Sequence, residues 1–145
     1  MRISAKSEYA IKAVLDLAIW QRTDLVPIQA IASRQRIPQR YLEQVLLALK
    51  RAGIVTSKRG SSGGYHLTRA ADRITVGDVL RAVEGHAAPF EALTGRRASI
   101  DGHDLAELWS EISEAVSSVV DRLTFGDLAA RAQERTGGAR AMYHI

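Results

Sequence analysis

Not one of the 145 residues is a cysteine. That absence removes disulfides, thiolate zinc sites and Cys-ligated iron–sulfur clusters from the chemistry open to this chain. Long apolar runs are missing too: none approaches the roughly 20 residues that cross a bilayer. The opening Met1-Arg-Ile-Ser-Ala-Lys6 lacks the apolar core and small-residue cleavage site of a secretory signal, so a cytoplasmic protein with no membrane attachment is expected. There is no Walker loop, dinucleotide fingerprint or nucleophile–base motif. Ser61, Ser62 and His66 lie near one another, but in a hairpin with no sign of a pocket, and catalysis is not expected. Internal repeats and low-complexity segments are also absent.

What is present is an ordinary globular composition, with 46% hydrophobic and 25% charged residues, enough for one domain with a core plus an assembly element. The net charge of +4 is unevenly placed. Residues 1–70 hold 12 Lys/Arg against 4 Asp/Glu, whereas residues 71–145 hold 8 against 12. A polycationic half suits a polyanionic partner, and double-stranded DNA is the one its patterning favours.

Hydrophobic periodicity predicts a mainly α fold with a small β-hairpin. A first helix runs from Ala5 to about Gln21, with Ser4 as N-cap and Glu8 in the first turn, where the helix dipole favours an acid. Its apolar residues go almost all the way round, which hints at a partner subunit. Arg22 to Pro27 interrupts it, and a short helix follows over Ile28–Arg34. A tight turn at residues 35–38 leads to a third helix over Gln39–Ala52, with Pro38 well placed at its start and Gly53 as its C-cap glycine. Leu42, Val45, Leu46 and Leu49 form the core stripe of that helix. Gln39, Arg40, Glu43, Gln44 and Leu47 face away from it. Four of these five can reach base edges or phosphates; Leu47 does not fit that role.

Strands over Ile54–Lys58 and Tyr65–Thr68 enclose the loop Arg59-Gly-Ser-Ser-Gly-Gly64. Its glycines let backbone amides approach a phosphate closely. A helix followed at once by a basic hairpin is the recognition helix and wing of a winged helix-turn-helix domain. The order suits duplex DNA, because a helix fits the major groove while a cationic loop follows the neighbouring backbone.

Thr75 caps a further helix to about Val83, and residues 84–102 show little periodicity. A long helix is expected over residues 104–123, where Leu105, Leu108, Ile112, Ala115, Val119 and Leu123 recur at spacings of 3 and 4. This seam exceeds what a small winged helix can cover, so a homodimer through it is expected. Thr124 to Asp127 reads as the cap of a short last helix to about Arg135. Residues 136–145 read as a disordered tail. The expected organisation is a DNA-binding domain over residues 1–83, a loop over 84–102, an assembly segment over 103–135, and the tail.

Six blocks in this order resemble the IscR/NsrR/CymR family of dimeric bacterial winged-helix regulators, over about residues 1–135. They are Met1–Lys6 with Tyr9-Ala10, Tyr41-Leu-Glu-Gln44, Gly53–Gly60, Gly63–Thr68, Ile74–Val79 and Leu123–Leu128. The resemblance implies a dimer whose third helices enter successive major grooves, with the wings in the flanking minor grooves. Gln39, Arg40, Glu43 and Gln44 would then be the base readers, with Tyr41 in the same block. Arg2, Lys6, Lys58, Arg59 and the loop residues Gly60, Ser61 and Ser62 would hold phosphates or the minor groove. The function implied is a sequence-specific transcriptional regulator, a repressor acting on a palindromic operator. The competing class is a protein-interaction adaptor that kept the fold and lost operator recognition.

Two departures from the family pattern stand out. Arg36 occupies the turn where the family usually has glycine, and a slightly rebuilt turn is expected there. The loop that holds a three-cysteine iron–sulfur cluster in many members has no thiol here. Ala92 and Ala98 stand at family-like spacing, but Asp104, next at that interval, is not a usual replacement for cysteine, which favours natural loss. No cofactor is therefore expected. Glu8, His86 and His103 are the remaining conceivable metal ligands near the seam, yet no two stand at a metal-motif spacing, so no metal site is expected either. Control would come from a regulatory protein partner, a small molecule or a non-Cys metal site.

Overall fold

The structure, a computed structural model, describes residues 3–21, 24–85 and 103–143, with side chains described only for residues 107–136 of the last two helices. The elements are α1 (Ala5–Trp20), α2 (Ile28–Gln35), α3 (Gln39–Arg51), β1 (Val55–Lys58), β2 (Gly64–Leu67), a 3-10 turn at Ala71–Arg73, α4 (Val76–Glu84), α5 (His103–Arg122) and α6 (Phe125–Tyr143).

Helices α1, α4 and α6 start where the sequence supplies a capping hydroxyl, whereas α2 and α3 start behind Pro27 and Pro38 without a side-chain cap. Ser4 Oγ accepts the Ser7 amide at 3.1 Å. Thr75 and Asp78 form a reciprocal capping box at 3.0 Å in each direction, and Thr124 and Asp127 repeat it at 3.1 and 3.2 Å. Each box satisfies two amide donors that the first helical turn leaves open.

The core gathers α1, α3 and α4 around small and branched side chains. Ala10, Ala13, Val14 and Leu17 of α1 are fully buried, and the two alanines let neighbouring helices approach closely. They meet Leu42, Leu46 and Leu49 of α3 and Val79 and Leu80 of α4, all likewise buried. Removing one such leucine from water contributes about 1.5–3 kcal/mol. Phe125, the largest fully buried side chain, carries the start of α6 into the same cluster. Backbone bonds from Val76 N to Leu123 O and from Phe125 N to Ile74 O, both 2.9 Å, bind that joint to the entry of α4.

The hairpin is antiparallel, with Val55 opposite Leu67 and Lys58 opposite Gly64. Both strands begin one residue away from the predicted positions. Ile54 lies outside the ladder because Gly53, at φ 77°, still turns the chain out of α3; its carbonyl accepts the Thr68 amide at 3.0 Å.

Three expectations are corrected. The turn at Arg36 is not rebuilt: Arg36 itself adopts the left-handed conformation at φ 54° and ψ 48°, and its amide closes α2 on Ala32 O. The last helix does not stop near Arg135 but continues to Tyr143. Gly137 and Gly138 weaken a helix by ~1 kcal/mol each without breaking it, and good helix formers follow them. Leu123, assigned to the exposed seam, packs on the core beside Val116 and Val120, because the joint with α4 pulls the end of α5 inward.

Candidate nucleic-acid interface

Four buried residues of α3 point inward, and this decides what points out. A helix turns about 100° per residue, so Arg40, Glu43, Gln44 and Leu47 fall on the face opposite Leu49. Gln39, Arg40, Tyr41, Glu43, Gln44 and Leu47 are all exposed. Lys50 and Arg51 continue the cationic surface in the last turn, where they also complement the helix dipole.

The wing is held at a defined angle to this face by contacts the sequence reading did not foresee. Lys50 Nζ donates to Ser57 Oγ at 2.7 Å, tying the end of α3 to β1. Val26 and Tyr65 exchange backbone bonds of 2.9 and 2.8 Å, so the chain between α1 and α2 pairs with β2. Gly64 makes that approach feasible: a Cβ there would stand 2.4 Å from Val26 O. Gln21 Oε1 also accepts the Leu67 amide at 2.8 Å. At the tip, the Gly63 amide bonds Gly60 O at 3.0 Å and turns the loop, leaving Lys58, Arg59, Gly60, Ser61 and Ser62 exposed.

Helix and wing thus enclose an open cleft of about 640 Å³, lined among others by Glu43, Leu47, Lys50, Lys58, Arg59 and Tyr65. Three cations face one carboxylate across it. Burial, aided by the Glu43 carboxylate, pushes the Tyr65 phenol up from its ordinary value, so it stays a neutral hydrogen-bonding group. On the other side of α3, Lys6 and Tyr9 of α1 line a second hollow of about 480 Å³ with Tyr41 and Gln44. Lys6 therefore joins the same surface. Arg2 lies outside the described residues.

Beneath this face sits a charge the sequence reading passed over. Asp16 is fully buried in α1, and its carboxylate takes hydrogen bonds from Arg34 and from Gln35 Nε2, the latter at 3.0 Å. The Arg34 guanidinium in turn stacks 4.9 Å from the Trp20 ring centroid. The available signal was Asp16 standing alone among the apolar residues from Ala13 to Trp20, since a buried carboxylate demands a partner.

The seam residues divide. Leu108 and Val119 are 45% and 43% exposed, Ala115 is exposed and Ile112 half-buried, forming an apolar stripe along α5. The side chain of Leu105 lies outside the described residues. Glu8 pairs with Lys12 at 3.2 Å. His86 and the side chain of His103 lie outside the described residues, as does the loop over 86–102. Among the described residues no three His, Cys, Asp or Glu gather to hold a metal, and no described helix is long and apolar enough to cross a membrane.

Comparison with known proteins agrees with this geometry. The profile of the Rrf2 family, described as iron-dependent transcriptional regulators, matches residues 3–131. The HTH-type transcriptional regulator CymR of Bacillus subtilis is 36% identical over 129 residues, covering 89% of this chain and 90% of the relative. The regulator IscR of Erwinia tasmaniensis is 36% identical over 130 residues, covering 88% and 78%. Among solved structures, CymR, described as the global cysteine regulator of B. subtilis, superposes with a TM-score of 0.76 at 35% identity, over 90% of this chain and 98% of that one. IscR of T. potens gives 0.78 at 32% identity, over 93% and 90%.

Proposed function

The chain belongs to the Rrf2 family of transcriptional regulators, and we propose that it acts within that family as a homodimeric repressor of a palindromic operator, controlled by something other than a Cys-ligated cluster. As in its regulator relatives, its business is with DNA and not with catalysis. The observation that carries the finer reading is the exposed outer face of α3, with Arg40 and Gln44, beside a cleft lined by Lys50 of the same helix and Lys58 and Arg59 of the wing.

In this reading α3 lies in the major groove. Arg40 pairs with guanine O6 and N7, Gln44 with adenine, and Glu43 accepts from cytosine N4. Gln39 and Tyr41 flank them. Lys6, Lys58, Arg59 and the amides of Gly60, Ser61 and Ser62 neutralise or cap phosphates, which sets register without reading sequence. A second copy covers the stripe of Leu108, Ala115 and Val119, and the twofold axis so made places two half-sites about one turn (~34 Å) apart. Bound there, the dimer occludes the DNA, which is how it represses.

The family description is iron-dependent, and the donor set of this chain does not fit a Cys-ligated cluster, because it offers no thiolate. The control we propose is a partner protein, a small molecule or a metal held without cysteine.

Selection of binding sites from a random duplex library at about 150 mM salt tests the reading, since non-specific binding weakens steeply with salt. The expected outcome is one enriched inverted repeat. Retention of duplexes without sequence preference would refute it. Iron added or chelated during the assay separates the proposed controls: a changed operator affinity assigns a metal held without cysteine, and an unchanged one assigns a partner protein or a small molecule.

A further inference from the structure

The outer face of α3 contains one residue that polar recognition leaves unused. Leu47 is 47% exposed in the midst of charged and amide side chains. A solitary exposed leucine elsewhere on a surface needs no explanation. The position of Leu47 is what demands one. Seven residues beyond Arg40, it falls within about 20° of the same line along the helix, and two residues before the buried Leu49 it points nearly opposite to the core. It has no part in the core cluster. With Arg40, Glu43 and Gln44 it completes an i, i+3, i+4, i+7 stripe, the spacing at which a helix laid in a major groove presents side chains to base edges. From Arg40 to Leu47 the helix advances ~10 Å, about three base-pair steps of ~3.4 Å.

Building on the reading of α3 as the groove helix, we infer that Leu47 is a specificity-determining residue that reads the C5-methyl group of a pyrimidine. The chemistry is restrictive. Leu47 has no donor or acceptor and can neither pair with a base edge nor hold a phosphate. The apolar feature on the floor of the major groove is the pyrimidine C5-methyl, which thymine carries and cytosine lacks. Packing leucine on that methyl removes apolar surface from water on both partners. A cytosine or purine at the same step would leave Leu47 against a polar edge without compensation. Leu47 also lines the cleft floor beside Glu43 and Lys50, so it adds an apolar test at one step of an otherwise polar readout.

The experiment uses the full-length protein and the operator recovered by selection. Each thymine of one half-site is replaced in turn by deoxyuridine, which deletes the methyl and preserves every hydrogen bond. One position is expected to lose about fourfold in affinity, the order expected from ~0.8 kcal/mol for a methyl returned to water. Leu47→Ala is expected to lose that sensitivity at that position alone, and Leu47→Met to keep it. Placing 5-methylcytosine, then cytosine, at the same step separates the methyl from the base that bears it: affinity should follow the methyl. A wild-type protein indifferent to every deoxyuridine, or a Leu47→Ala variant with an unchanged profile, would overturn the inference while leaving operator recognition intact. Failure to recover any operator would instead remove the reading of α3 on which it rests. Leu47 is exposed, so an unchanged thermal transition should show that the variants fold.

Discussion

Asp16, fully buried in the C-terminal half of α1, receives two parallel hydrogen bonds from the Arg34 guanidinium, Nε to Oδ1 at 2.9 Å and Nη2 to Oδ2 at 2.8 Å. The pair fastens α2, the first arm of the helix-turn-helix, to the helix beneath it. Its two members are not equivalent, since the Arg34 side chain is 33% exposed and that of Asp16 is 0% exposed. Losing the acid leaves a cation that can turn to water. Losing the cation strands a carboxylate in the core with Gln35 as its remaining polar contact. Arg34→Met is therefore expected to cost about 3 kcal/mol and Asp16→Asn about 1–2 kcal/mol, measured by urea unfolding. Equal costs, or a larger cost for Asp16→Asn, would contradict this.

Arg36 sits at φ 54° and ψ 48°, where a side chain is disfavoured. The left-handed conformation costs an L-residue roughly 1–2 kcal/mol, and the extra freedom glycine brings to the unfolded chain returns about 0.5–1 kcal/mol of that. Arg36→Gly is expected to stabilise by about 0.5–1 kcal/mol, a rise of roughly 1–4 °C in Tm. A lowered Tm would mean that Arg36 makes an interaction outweighing its backbone strain.

Arg81 and Asp121 join α4 to α5 through two bonds of 2.7 Å each. The hydrogen bonds from Arg81 hold the Asp121 carboxyl below its ordinary value, against a smaller opposing effect of burial. A carboxyl depressed in the folded state contributes stability above its unfolded value and loses it as pH falls through the folded one. Both side chains are more than a third exposed, so solvent screening keeps the contribution under ~1 kcal/mol. Asp121→Asn is expected to lower Tm slightly at neutral pH, and that difference should vanish as pH falls through the depressed folded-state value of Asp121. A difference that persists in acid would point to packing rather than charge.

Val119 and Leu108 project from α5 into solvent in the isolated chain. With the proposed second copy on this stripe the wild type is expected to be a dimer in solution, and Val119→Asp to yield a folded monomer with operator affinity reduced by at least about 10-fold, because tethered half-sites lose their mutual reinforcement. Light scattering coupled to gel filtration reads the first effect. A wild-type monomer, or a dimer indifferent to Val119→Asp, would place the assembly surface elsewhere.

The winged helix was legible because its signals are local. The period of Leu42, Val45, Leu46 and Leu49 marks α3, Gly53 closes it, and Ser4, Thr75 and Thr124 mark helix starts by the amides their hydroxyls satisfy. What escaped depends on residues distant in sequence or on competition between weak effects. Nothing near Asp16 announces Arg34, 18 positions away. The Val26–Tyr65 pairing that anchors the wing joins two segments with no shared pattern. Gly137 and Gly138 resemble a stop, yet helix propagation through them wins to Tyr143. Leu123 fits the α5 repeat but is drawn to the core where its own carbonyl accepts the Val76 amide at the start of α4. For the interface, sequence named the outward residues of α3 and the wing tip, but the tether from Lys50 to Ser57 that sets their mutual angle required the fold.

Sequence reading by α3 and the wing is measured by one ratio: affinity for the selected operator over a scrambled duplex of equal length, at about 150 mM salt, for the wild type and for Arg40→Ala. A wild-type ratio of about 10³ or more is expected. Arg40→Ala should cut it by ~10- to 100-fold through loss of a base contact worth about 1–3 kcal/mol, with scrambled-duplex affinity changed far less. A wild-type ratio near one, or one that Arg40→Ala leaves untouched, would contradict sequence reading by this surface.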